Sequence, residues 1–179
     1  MAVEGLAVFL VVKNGESGSV EYRFHNAYGQ NADGSIKTVH TTSLIEGRSR
    51  SYDYMPFIYQ GGTQNRSGDN STAALDLAPN KISMSFASQM TNMIGIDGAG
   101  KLPMIVRAVV VRMDTTTWVP ESNGILTDET WVAAGMSYTT EVLEVVLSSA
   151  IDAVNALAPT YSLNTVNVGS LPVTSSVRT

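Results

Sequence analysis

Apolar and polar positions along the chain alternate mostly at the period of β-strands. Residues 6–12 are uninterruptedly apolar, a run too short for a membrane helix and of the right length for a buried strand. A turn-rich segment, Asn14 to Ser19, follows, and then residues 20–24 alternate apolar and polar side chains, so the two runs predict a hairpin. The loop from Asn26 to Ser35 contains the pair Asp33 and Gly34, a strong turn signal, and leads into a predicted strand over residues 36–42. Residues 52–59 read as one strand and residues 71–78 as its neighbour. The polar segment 65–70 between them is expected to project from the sheet edge.

One helix interrupts this pattern. After Pro79, Asn80 is placed to cap a helix over residues 81–93, with Ile82, Phe86, Met90 and Met93 recurring on one face. Gly95, Gly98 and Gly100 end it. Residues 102–113 are apolar on both faces apart from Arg107 and Arg112, as a central strand requires. Residues 118–124 read as a long connection, and residues 131–136 and 137–147 as two further strands. Residues 150–157 read as a helical turn or a frayed end. The pattern predicts a mainly β fold with one short flanking helix: a single domain over residues 1–160, then an extended tail over residues 161–179.

Composition narrows the possible roles. A chain of 179 residues can bury roughly 70% of its unfolded surface, so a sizeable core is expected. Charged residues make up only 15% of it, which leaves a largely neutral polar surface suited to packing against other proteins. Sixteen acidic against eleven basic residues give a net charge of −5, which disfavours binding to a phosphate backbone. The absence of cysteine removes disulfides, thiolate nucleophiles and Cys-ligated metals. No stretch approaches the length of a membrane helix, and the apolar run at residues 6–12 follows Glu4 rather than a basic segment. The expectation is a soluble protein made in the cytoplasm with no membrane partner.

Candidate chemistry is sparse. His25 and His40 could share a metal with Asp33 or Asp53, but their spacing fits no ligand pattern, and both are expected to be ordinary polar surface side chains. Ser, His and Asp occur without a nucleophile elbow. The glycines at 95, 98 and 100 follow a helix instead of opening one, unlike a dinucleotide-binding loop. Asp97, Asp114 and Asp128 lack the alternation of a calcium loop. No catalytic, cofactor-binding or metal-binding residue is therefore expected, and no enzymatic activity.

The two ends of the chain carry more information. The first strand and the tail are uncharged and extended in character, which would leave sheet edges open to pairing. Leu6, Val8, Leu10, Asn65, Asn70, Val166, Val168 and Leu171 are the candidate interface residues, and closure against copies of the same chain in a ring would cover them.

The order of segments resembles that of the minor tail protein L and related distal-tail or baseplate-hub proteins of tailed bacteriophages. It is carried by Tyr22-Arg-Phe-His-Asn26, the run from Tyr52 to Ile58, Ala74-Leu-Asp-Leu77 and the short helix, then residues 102–114, residues 141–148 and the Pro159 region. The resemblance covers roughly residues 20–160. It implies a tail-tube-like β-sandwich or barrel, located in the virion and assembled as a trimeric or hexameric ring. Such a collar joins the tail tube to central hub or fibre proteins and lets genomic DNA pass without binding it. Some relatives carry a cysteine-bearing extension resembling an iron–sulfur module; this chain has no cysteine, so no cofactor carries over. Acidic side chains facing a lumen would lower the adhesion of a passing polyanion, and Glu16, Glu21, Asp33, Glu141 and Glu144 are the candidates. Glu141 and Glu144 would point to opposite faces of a regular strand. The competing expectation is a carbohydrate-binding β-sandwich using Trp118, Trp131 and Tyr59 as stacking platforms.

Overall fold

The computed structural model describes residues 4–15, 17–31, 33–63, 72–81, 83–86 and 104–149. Among these residues nine strands form one sheet: β1 (Glu4–Lys13), β2 (Val20–His25), β3 (Val39–Thr42), β4 (Arg50–Tyr54), β5 (Phe57–Thr63), β6 (Thr72–Leu77), β7 (Ile105–Asp114), β8 (Val119–Tyr138) and β9 (Leu143–Ser148). Their order is β3-β4-β2-β1-β7-β8-β9-β6-β5. Every pairing is antiparallel except a short parallel one, in which Phe24 and His25 of β2 face Asp53 and Tyr54 of β4. The protein is mainly β, as its sequence pattern predicts.

The connection from β4 to β5 decides the shape. The two strands lie near opposite ends of the sheet order, yet only Met55 and Pro56 separate them. The sheet must therefore curl until β5 returns to the end of β2, and three contacts close it there. Met55 N donates to His25 O at 2.9 Å. Asn26 accepts from Val8 N through Oδ1 at 2.7 Å and donates from Nδ2 to Phe57 O at 3.2 Å. Asn26 thus ties β1 to the start of β5, satisfying backbone groups at the seam.

Inside the curl lies the larger core. Leu10, Phe24, Met55, Leu75, Leu77, Val106, Leu143, Val145 and Leu147 are among its buried members. Burial of each large aliphatic side chain there contributes about 1.5–3 kcal/mol. Helical residues at 81 and 83–86 plug one side of this core. Asn80 begins them, its Oδ1 accepting from Ser83 N at 2.9 Å while its own N donates to Ser83 Oγ at 2.8 Å, a reciprocal cap. Phe86, fully buried, meets the rings of Tyr22 and Phe24 edge-on.

A second core lies on the outside of the curl, over β1 and β7. Ala7, Phe9 and Val11 of β1, with Val109, Val111 and Met113 of β7, are covered there by Tyr52 of β4 and Ile45 of the β3–β4 loop. This outer layer explains why β1 and β7 are apolar on both faces: each has a core on either side.

Several expectations are corrected. The predicted strand 52–59 is two strands broken at Pro56, which has no N–H to continue a ladder. Only residues 39–42 of the stretch 36–42 form a strand, Ile36 making an isolated bridge to Gln30. Of the predicted connection 118–124, residues 119–124 belong to β8, which runs unbroken in sequence to Tyr138 by absorbing bulges in its pairing with β7 and β9. The hairpin turn lies earlier, where Trp118 N donates to Asp114 O at 2.7 Å. The first strand is not an open edge: β1 pairs with β2 on one side and β7 on the other. Leu10 is fully buried and Val8 packs on the inner core, leaving Leu6, 69% exposed, as the accessible member of that trio. A strand apolar on both faces belongs at the centre of a sheet, not at its rim. Of the helix face, Ile82, Met90 and Met93 lie outside the described residues.

Candidate functional site

Over β1 and β7 the outer face of the sheet lies under the β3–β4 layer. On its other half, over β8, β9, β6 and β5, Val132 and Ser148 are buried, while among the described residues the part around Ile58 and Val146 is open. Register places Ile58, Asp76, Glu144 and Ser137 in one row across this half, and Gln60, Ala74, Val146 and Gly135 in the next. Ile58 is 64% exposed, and Val142 and Val146 are also exposed. A shallow cleft of about 400 Å³ runs beside the first row, bounded by Tyr54, Phe57, Ile58, Asp76, Glu141 and Val142.

The carboxylates on this face stand close together. Asp76 and Glu144 are direct cross-strand partners, an arrangement that disfavours two like charges. Asp76 accepts from Gln60 Nε2 and Glu144 from Ser137 Oγ, each at 3.1 Å. Among the described residues no basic side chain pairs with either. Of the other acids singled out from the sequence, Glu141 sits in the β8–β9 turn, not in a strand, where its N–H donates to Thr139 Oγ1. Strand alternation therefore does not govern its direction relative to Glu144. Glu21 is exposed on β2 and accepts from Ser19 Oγ at 2.9 Å. Asp33 closes its own turn, its Oδ1 accepting from Ser35 Oγ at 2.6 Å and Ser35 N at 2.9 Å. These bonds, the side-chain one foremost, hold its carboxyl below the ordinary range. Glu16, Asn65, Asn70, Val166, Val168 and Leu171 lie outside the described residues.

Sheet edges provide a second kind of contact surface. Among the described residues β3 pairs only with β4, and β5 only with β6, so these two strands end the sheet order there.

The aromatic residues considered as sugar platforms are otherwise engaged. Trp131 is buried in the inner core, and its Nε1 donates to Tyr59 Oη at 2.7 Å, while Tyr59 Oη donates in turn to Glu129. Burial foremost, then the bond to Glu129, raises the Tyr59 hydroxyl above its ordinary range. Trp118 lies over Gly29, so closely that a Cβ there would stand 3.0 Å from the indole.

The β3–β4 layer is held down by charge. Arg23 grips Glu46 through Nε at 2.6 Å and Nη2 at 3.0 Å, and Tyr52 Oη donates to the same carboxylate at 2.9 Å. Arg107 donates from Nη1 to Ile45 O at 3.0 Å while holding Asp128 with Nε and Nη2. Both arginines emerge from the sheet beneath and reach into the loop above.

Under this layer sit the two histidines, buried rather than exposed as expected. His25 of β2 and His40 of β3 are 0% and 2% exposed, their rings edge-to-face with centroids 4.5 Å apart. Phe9, Tyr54 and Tyr52 complete the surrounding aromatic cluster. Neither nitrogen of His25, nor Nε2 of His40, has a hydrogen-bond partner. The Thr38 and Ala27 carbonyls favour a proton on His25 without completing such a bond. Burial foremost, with repulsion from the other ring and from Lys37, lowers His25 to about 4; burial and Lys37 lower His40 to about 4. No local pattern signals this pairing, because residues 25 and 40 meet only when β4 lies parallel to β2. Among the described residues no three histidine or acidic side chains converge so as to hold a metal ion, and no helix is long and apolar enough to cross a membrane.

Comparison with protein-family models matches no family, and comparison with curated proteins finds no relative.

Proposed function

We propose that the protein is a structural virion subunit of a bacteriophage tail tip or baseplate, assembling with copies of itself into a ring-shaped collar between the tail tube and the central hub or fibre proteins. The observation that carries this reading is an exposed apolar patch on the outer face of β5 and β9, where Ile58 and Val146 meet solvent, beside β5, which among the described residues pairs only with β6. Exposed sheet with a free edge favours association, and closed rings are the symmetric way to satisfy it. The inside of the curl is filled by side chains, so a passage for DNA has to lie between subunits and not through one. Carboxylates such as Glu144 and Asp76 on a face lining that passage would keep a polyanion from adhering.

Sedimentation and negative-stain electron microscopy of the purified chain at micromolar concentration test the proposal. Discrete trimeric or hexameric rings are the expected result. A monomer that unfolds cooperatively and never forms rings overturns it.

A further inference from the structure

The His25–His40 pair lies at the seam between the curled sheet and its outer layer, and its geometry suits neutral rings. Both imidazoles are sealed from solvent, three of their four nitrogens lack partners, and the rings touch edge-to-face. A proton on either ring would place a charge in an aromatic setting with a second imidazole 4.5 Å away. Such a charge is costly unless paired.

The Thr38 and Ala27 carbonyls favour a proton on His25, but the side chains facing the pair offer no compensating charge. From β1 comes Phe9. From β4 come the rings of Tyr52, through Phe9, and Tyr54. From the loop before β3 comes Lys37, whose positive charge opposes protonation of both rings. Among the described residues, no carboxylate acts on either histidine.

The layer over the pair is lightly fastened by backbone. Among the described residues β4 pairs with β2 at Phe24 with Asp53 and His25 with Tyr54, and β3 pairs with β4. Its further anchors are the Met55 N–His25 O bond at the end of β4, the Arg23–Glu46–Tyr52 cluster and the bond from Arg107 to Ile45 O. The Glu46 carboxylate is held below its ordinary range, chiefly by its bond to Arg23, so that cluster remains charged in mild acid.

We propose that the His25–His40 pair makes the β3–β4 layer an acid-releasable cover, which lifts when the histidines take up protons and uncovers the apolar outer face of β1 and β7. The released face carries Phe9, Val11, Val109 and Val111. The sign follows from linkage. The closed form holds both rings near 4, whereas exposed rings return to their ordinary value of about 6.5. Between these values the opened form binds more protons, so closure is fully favoured above pH 6.5 and weakens as pH falls toward 4. Each histidine freed multiplies the opening constant by up to about tenfold per pH unit in that window.

Hydrogen exchange of the full chain between pH 7 and pH 4, expressed as protection factors, reads the opening directly. Protection of the Met55 amide, which donates across the seam to His25 O, is expected to fall by at least tenfold per unit below pH 6, while amides of β7 and β9 keep theirs. His25→Phe combined with His40→Gln should abolish the pH dependence. Histidine ring resonances followed in the wild-type chain give a second measurement that needs no variant, and they should titrate well below pH 6. Protection that stays flat to pH 4, an equal fall in the double variant, or histidines titrating near 6.5 in the closed form would each overturn the proposal.

Discussion

Gly124 shows how closely backbone can approach in this fold. A Cβ at that position would stand 2.8 Å from Arg112 O and 3.0 Å from Glu121 O, and neither carbonyl can move without disturbing the β7–β8 pairing. Gly124→Ala is expected to cost about 1–3 kcal/mol, visible as a lower midpoint in urea denaturation with an unchanged slope. Gly29 is restricted by a side chain, the indole of Trp118, and Trp118 itself holds a positive φ of 53°, a conformation favouring glycine. Some residue-scale features were legible beforehand. The Asp33–Gly34 turn forms, with Gly34 at φ 82° and Gly34 N donating to Asn31 O. Asn80 caps the helical residues that follow it. These succeed because the deciding groups lie within a few residues of one another. His25 and His40 were misread as surface residues because polarity alone says nothing of the strands stacked above them.

Among the elements, the β3–β4 layer depends most on a few polar contacts. Glu46 receives both Arg23 and Tyr52, and it bridges the loop at residues 43–49 to the sheet below. Glu46→Gln keeps the shape and removes the charge; it is expected to weaken closure of this layer by about 1.5–3 kcal/mol. Exchange protection at pH 7 should then fall for β3 and β4 amides and hold for β8 and β9. A uniform loss across the sheet would show instead that Glu46 supports the whole fold. Most strands could be located from alternation and apolar runs, and β2, β6 and β7 lie close to their expected bounds. The boundary at Pro56 and the length of β8 were not legible, because a break and a set of bulges are settled by which neighbour supplies the next hydrogen bond.

At the scale of the molecule, two cores share the central strands, and they should differ in reach. Leu75 is fully buried in the inner core, so Leu75→Ala is expected to lower global stability by about 2–5 kcal/mol. Ile45 belongs to the outer core and is carried by the covering loop. Ile45→Ala should loosen that layer first, detected as exchange in β3 and β4 before the thermal transition moves. A similar loss of global stability from both substitutions would mean that the cores unfold as one unit. The same division bears on the proposed collar, since the closed inner core leaves association to the open outer face and the β5 edge.

Local chemistry along the chain determined the mainly β character, the central place of the apolar run at residues 105–113, the helix cap at Asn80 and the tight turns. Each depends on periodicity, or on hydrogen bonds between near neighbours. The curl of the sheet, the burial of β1 between two cores, the pairing of His25 with His40 and the alignment of Asp76 with Glu144 were decided by tertiary structure alone. The two-residue step from β4 to β5 forces distant strands together, and the resulting pairings fix which side chains meet and which lose their water.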